Sequence, residues 1–433
     1  MAELLRRVAG AEAEPVRGTL RAVTGLALEV SLPGARVGDL LAVRRRAHED
    51  LLAEVVAFRE DRVVCLPYGT VEDLGPGDPV EPAPAAAGIP CSAGLLGRVL
   101  DPFGRPLDAG PPVRGVPRPL RAAPPPALDR PRIDVALSTG VRALDALATF
   151  GVGQRLGLFA GSGVGKSTLL GQIARFAGAD VIVVGLVGER GREVNDFLET
   201  CLGPDGRARS VVVVATSDEP ALRRIRAARA ATAVAEYFRD EGRSVLLLVD
   251  SVTRYARALR EVALASGELP ARRGYPPSVL ADLPGLLERA GRARRGAVTG
   301  VYTVLVEGDD LDEPIADEVR GILDGHIVLD RGLAARGRWP AIDPLRSLSR
   351  VMPAVAGADH RRAAGILRAA IERYEAKREL IQLGAHRPGA EPALDRVLAA
   401  LPRIEAFLGQ PPDERADARR TVADLMALAG SLA

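Results

Sequence analysis

Lys166 and Lys377 are the only lysines among 58 basic residues, and Lys166 stands in the run Ala160-Gly161-Ser162-Gly163-Val164-Gly165-Lys166-Ser167-Thr168. This spacing is that of a phosphate-binding loop. Backbone N–H groups from Gly161 through Gly165 wrap phosphate oxygens, the Lys166 ammonium reaches the β and γ phosphates, and the Ser167 hydroxyl, followed by Thr168, faces a Mg²⁺ ion. Arginine, used almost everywhere else in the chain, would bring a rigid planar fork into a cradle that takes a compact charge. The pattern's first glycine is Ala160 here, which the loop accommodates provided that position 160 keeps a negative φ.

Two further signals carry carboxylates. Leu246-Leu247-Leu248-Val249-Asp250 is an apolar run ending in an acid able to hold Mg²⁺ through water. Val187-Gly188-Glu189-Arg190 places Glu189 just past another apolar run, where it can orient and deprotonate a water for in-line attack on a γ phosphate. Arg190, and Arg254 one helical turn beyond Asp250, can neutralise phosphate charge or simply pair with nearby carboxylates.

Positioning these groups requires strands that end at a common edge. Arg155 to Phe159 reads as a strand before the loop and Ser167 onward as a helix after it, so the helix N-terminus points at the phosphates. Val181–Val187, Ser210–Ala215, Ser244–Val249 and Gly300–Val306 are continuous Val/Leu-rich runs separated by helical segments. That pattern predicts a parallel sheet buried on both faces, with ligands at the carboxyl ends of its strands. Before it, Gly18–Leu32, Leu40–Arg44, Glu54–Phe58 and Arg62–Leu66 are short β-rich runs split by turn residues, as in a small barrel. Proline-rich stretches at Pro82–Pro90 and Pro111–Pro131 read as a linker wrapping the edge of the sheet domain. After Arg350 the pattern is helical, over Arg361–Leu380, Pro392–Phe407 and from about Arg415. The expected divisions are 1–90, 91–350 with a linker at 109–135, and 351–433.

Composition narrows the classes. A net charge of +2 gives no excess suited to nucleic acid. Cys65, Cys91 and Cys201 are odd in number and far apart, which suits a reducing compartment and no disulfide framework. His48, His326, His360 and His386 share no ligand spacing. No run approaches the roughly 18 apolar residues of a membrane span. Met1–Val8 is too short for a secretory signal and reads as a frayed end.

The strings FAGSGVGKSTLLG, VGERGREV, LLLVDSVTRYARALRE, GYPPSVLADLPGLLERAG, YTVLVEGDDLDEPIADEVRGILDGHIVLDR and WPAIDPLRSLSRVMP together closely resemble the type III secretion ATPases of flagellar export and the injectisome, over nearly the whole chain. The family is similar to the catalytic subunit of rotary ATP synthases. The resemblance implies an α/β fold with a small N-terminal β-barrel, a RecA-like P-loop NTPase domain with a mainly parallel sheet, and a C-terminal helical domain. It also implies ATP as substrate with Mg²⁺, Lys166 and Ser167 as phosphate and metal contacts, Glu189 as base, Asp250 on the metal side, and Arg254 as a charge stabiliser. It makes Arg350, in SLSR, an arginine finger for a neighbouring subunit's nucleotide, worth about 10³–10⁵ in rate. Trp339 stands where relatives commonly carry a tyrosine that packs on adenine, and Phe407, in FLGQ, is a candidate for the other side of that base.

A base for the chain's own nucleotide and a finger for a neighbour's imply a homohexamer with shared sites. The resemblance further implies a stator-like regulator at the N-terminus, a central stalk and chaperone–substrate complexes at the helical domain around Tyr374–Pro388, peripheral contact with a membrane export gate, and a cytoplasmic location at the inner face of the membrane. The short N-terminus and the GKST loop lean towards an injectisome. Three alternatives are an ion-pumping rotary subunit, a Rho-like RNA translocase, and an inert ring component. The EGDDLDEP and GYPPSV strings oppose the first. Aromatics at only 3% of the chain, with Phe58 and Tyr68 alone in the barrel, leave little for the second to stack bases on. The intact Lys166, Glu189, Asp250 and Arg350 oppose the third.

Overall fold

The computed structural model describes residues 17–84, 87–306, 308 and 310–432. The Met1–Val8 segment and part of EGDDLDEP lie outside them.

The barrel consists of β1 (Gly18–Thr24), β2 (Ala27–Ser31), β3 (Leu40–Val43), β4 (Leu51–Arg59), β5 (Arg62–Pro67) and β6 (Pro79–Pro82), closed in the order β1-β2-β5-β4-β3-β6. The stretch from Gly18 to Leu32, read as one β-rich run, is two strands reversed at Gly25, whose φ of +60° suits glycine. Alternation along β4 turns Leu51, Ala53 and Val55 inward against Leu20, Val30, Val43 and Val63. β6, short and bounded by prolines, gave no periodic signal; it closes the barrel by pairing with both β1 and β3.

The central sheet contains β7 (Val99–Leu100), β8 (Arg155–Ala160), β9 (Val181–Glu189), β10 (Ser210–Thr216), β11 (Ser244–Asp250), β12 (Ala297–Leu305), β13 (Gly325–Val328) and β14 (Leu348–Ser349). Their spatial order is β14-β13-β8-β12-β11-β9-β10-β7. Every pairing along this path is parallel except β13 with β14. Side chains alternate between faces: Val183 and Val187 of β9 join one core cluster, Ile182 and Val184 the other. Both faces are therefore covered, which is why the strands read as unbroken apolar runs.

Helices α1 (Arg142–Leu147), α2 (Lys166–Phe176), α3 (Gly191–Asp196), α4 (Ala221–Asp240) and α5 (Val252–Ala265) belong to this layer. The C-terminal helices are α6 (Ala358–Gln382), α7 (Pro392–Leu408) and α8 (Ala418–Gly430). Leu367, Val397 and Leu425 from these three share a buried cluster with Leu170 and Ile173 of α2. The helical part thus packs, through one continuous apolar core, against the helix that follows the glycine-rich loop. Among the described residues no helix is long and apolar enough to cross a membrane.

Candidate active site

Parallel registration brings the key strand ends together. Ala160 of β8 pairs with Leu305 of β12, and Asp250 of β11 pairs with Leu186 of β9, three residues before Glu189. The loop leaves β8 at Ala160, which lies in regular strand conformation, meeting the condition set by the missing first glycine. Gly163 and Gly165 take φ of +78° and +84°, values that β-carbon-bearing residues avoid, and Lys166 opens α2 directly afterwards. Gly161 and Val164 are buried, whereas Ser162, Gly163, Ser167 and Thr168 are exposed.

Lys166 Nζ donates to Glu189 Oε1 at 3.2 Å and also to Asp250 Oδ1. Asp250, 2% exposed, accepts a further bond from Thr303 Oγ1 of the intervening strand at 2.7 Å. Glu189, 5% exposed, also pairs with Arg254. Arg254 is fixed because α5 starts straight after β11: Ser251 caps the helix through its hydroxyl, accepting from the Arg254 N–H. Thr253 Oγ1, next to it, accepts from the Leu305 N–H at 2.8 Å and ties α5 to the end of β12. A cation in the first turn opposes the helix dipole, and Glu189 supplies the offsetting charge.

Burial pushes the Glu189 carboxyl above its ordinary range and a hydrogen bond with Glu193 adds to this, while Lys166 and Arg254 act in the opposite sense. Glu193, hydrogen-bonded to Glu189, is held below its ordinary range. Of the two carboxylates, Glu189 is therefore the one that takes up a proton first as the pH falls. A buried carboxyl poised upward, next to a lysine and at a strand end, has the character of a general base.

Ser167 follows Lys166 in α2 and Asp250 accepts from the Lys166 ammonium, so both hard oxygen donors belong to the lysine's surroundings. Mg²⁺ characteristically takes few protein oxygens and completes its octahedron with phosphate and water, so this donor set fits it.

Beside the loop is a cavity of about 910 Å³, walled by Gly163, Gly165 and Thr168 on one side and by Trp339, Tyr374 and Gln410 on the other. Trp339 is 41% exposed, and its ring lies so close over Gly165 that a β-carbon there would meet it at 2.6 Å. Phe407 is not part of this wall: it is 8% exposed within the helical core, because α7 turns that face inward. The following segment, Gly409–Pro412, lines the cavity instead. Arg190 is likewise not gathered in; it stands at the position before α3 with its side chain 78% exposed, 3.5 Å from Glu193. Arg350 is exposed and without an ion pair among the described residues, and it follows β14. Its N–H donates to the carbonyl of Asp324, the residue before β13, at 2.9 Å. That is the amino end of the sheet, about 20 Å along β8 from the loop at its carboxyl end.

Family models match in the same order as the three structural parts. The beta-barrel domain of the ATP synthase alpha/beta family matches residues 21–83, the nucleotide-binding domain of that family 140–349, and the T3SS EscN ATPase C-terminal domain 356–427. The chain is 50% identical over 428 residues to the flagellum-specific ATP synthase of Treponema pallidum, covering 98% of this chain and 96% of the relative. The chain belongs to the type III secretion ATPase family. It is also 47% identical to the type 3 secretion system ATPase of Sinorhizobium fredii, over 94% of this chain and 91% of that one. Among solved structures, the assembled ATPase EscN of enteropathogenic E. coli superposes with a TM-score of 0.90 at 45% identity, covering 95% of this chain and all of the other.

Within this type III secretion ATPase, three residues of the site carried no legible signal. Thr303 sits inside an unbroken apolar strand. Glu193 is four residues after Glu189 and was readable only as a helical neighbour. Gln410 belongs to FLGQ, where the aromatic drew attention; yet it is Gln410, 3% exposed, that donates to the Gly140 and Glu414 carbonyls and accepts from the Arg142 N–H at 2.7 Å. Its own N–H bonds the Trp339 carbonyl at 2.8 Å, fixing the cavity wall to α1.

Proposed function

We propose that this chain hydrolyses MgATP at the glycine-rich loop, in a ring of identical subunits, and that hydrolysis drives type III protein export by releasing and unfolding chaperone-bound substrates. Lys166 and the loop N–H groups bind the β and γ phosphates, displacing the lysine from its two carboxylates. Ser167, and Asp250 through water, would hold Mg²⁺, whose charge neutralises the transferred phosphoryl group. Glu189, freed from Lys166, takes a proton from the attacking water. Arg254 stabilises the charge left on that side, and Trp339 stacks on the base.

The observation that supports the shared-site part of this reading is the position of Arg350, at the opposite end of β8 from its own loop. A finger there is out of reach of the chain's own γ phosphate, so a neighbour must use it. The solved relative EscN also exists in complex with its central stalk EscO. Here Leu380 and Leu383, 49% and 81% exposed at the end of α6, offer an apolar tip of the helical part to such a stalk or to arriving chaperones. A cytoplasmic site of action against the export gate, with a stator-like regulator on the N-terminal segment, completes the proposal.

The test mixes two inactive proteins. Lys166→Ala subunits keep the finger and Arg350→Ala subunits keep the loop, so mixed rings contain complete sites and recover ATP hydrolysis. If no mixing ratio gives activity above that of either protein alone, shared sites are ruled out.

A further inference from the structure

We propose that Gln154 is a positioning residue for Arg350, acting through Ser349 and Asp324, so that the aim of the finger is set at the first turn into the very strand that ends in the chain's own phosphate loop. The proposal rests on the reading of Arg350 as a finger in trans.

Gln154 is fully buried, a costly place for an amide unless each of its polar atoms is satisfied. All of them are. Its Nε2 donates to the Asp324 carbonyl at 3.1 Å and to Ser349 Oγ at 3.0 Å, and its Oε1 accepts from the Gly151 N–H at 2.9 Å. Ser349, 3% exposed, donates its own hydroxyl hydrogen bond to the Thr149 carbonyl at 2.8 Å. The Asp324 carbonyl is the same atom that receives the Arg350 N–H at 2.9 Å. One amide therefore grips both the residue before Arg350 and the carbonyl on which the Arg350 backbone hangs.

The surroundings give the finger little other support. β14 is only Leu348–Ser349, pairs on one side alone, and lies at the sheet edge. The Arg350 side chain is exposed and has no ion pair among the described residues. Asp324, in contrast, is anchored by the Arg155 N–H at 3.0 Å and by the Arg155 guanidinium at 3.0 and 3.1 Å. The rigid part is thus the start of β8 with Asp324, and Gln154 is the connection that transmits this rigidity to Ser349. An error of about 1 Å in a transition-state contact is enough to cost about 10²-fold in rate.

Gln154→Leu keeps the volume and removes the grip. The expected result is a kcat lowered about 10²-fold with KM nearly unchanged, since a finger acts in the transition state rather than on ground-state binding. A structural lesion could also slow the enzyme, so the deciding readout is complementation in mixed rings. With Lys166→Ala subunits, whose fingers are intact, Gln154→Leu should recover activity as Arg350→Ala does. With Arg350→Ala subunits it should recover none, because both partners lack an aimed finger. The reverse pattern would place Gln154 on its own phosphate loop and overturn the proposal, as would recovery in neither mixture. Ser349→Ala, a smaller change, should reproduce the same pattern if Gln154→Leu fails to assemble. If Lys166→Ala and Arg350→Ala do not complement each other in the parallel control, it is the finger reading that falls, and this proposal with it.

Discussion

The Lys166 ammonium lies 3.2 Å from the Glu189 carboxylate, so the cation proposed to hold phosphate and the base proposed to activate water are paired with each other. Asp250 shares the same ammonium. Phosphate binding must separate these charges, which couples arrival of substrate to release of the base. Lys166→Ala is expected to lower hydrolysis by at least about 10²–10³-fold. Lys166→Arg should not restore it, because a guanidinium is a planar fork rather than a point charge. Phosphate release measured on both variants checks this.

The Glu189–Glu193 contact is expected to set the acid limb of the pH profile. With the Glu189 carboxyl raised above its ordinary 4.5, the base is protonated, and the enzyme loses kcat/KM, at a higher pH than an ordinary glutamate would dictate. Glu193→Gln removes the carboxylate that accepts this proton, so the Glu189 carboxyl should fall and the acid limb move to lower pH. A pH series of kcat/KM on the two proteins decides it; an unmoved limb would disconnect Glu193 from the base.

The Trp339 ring over Gly165 makes the loop's glycine a double requirement. An alanine there would hold φ near +84°, at a cost of about 1–2 kcal/mol, and would also push its β-carbon into the ring. Gly165→Ala should weaken ATP binding by at least about tenfold, and Trp339→Ala by the loss of stacking, about 1–3 kcal/mol. Trp339 is the chain's sole tryptophan, so titrating ATP against intrinsic fluorescence follows the first variant directly. A fluorescent nucleotide analogue follows the second.

The carboxylates proposed to act in catalysis were legible because each closes an apolar run. Val181–Val187 and Ser244–Val249 were readable as buried strands, and Glu189 and Asp250 are what such strands present at their carboxyl ends. The loop was legible from Lys166 and its glycines. Phe407 was misleading for a physical reason: an aromatic on a helix faces whichever side that helix buries, and α7 buries it in the core, leaving Gln410 and Pro411 at the cavity. Arg190 is adjacent to Glu189 in sequence, yet the chain turns into α3 there and sends its side chain to solvent. Short strands such as β6, β7 and β14 are too brief to carry a period.

Sequence by itself determined the loop chemistry, the order of barrel, sheet and helices, and the family, because local spacing and apolar runs are written along the chain. Tertiary structure alone decided which groups meet. Strand order brings Thr303 and Lys166 to the same Asp250 oxygen, burial raises the Glu189 carboxyl, and the amino end of β8 holds Arg350 away from its own loop. Those relationships depend on which strands pair and on what desolvates each charge, and neither is a property of any short stretch of residues.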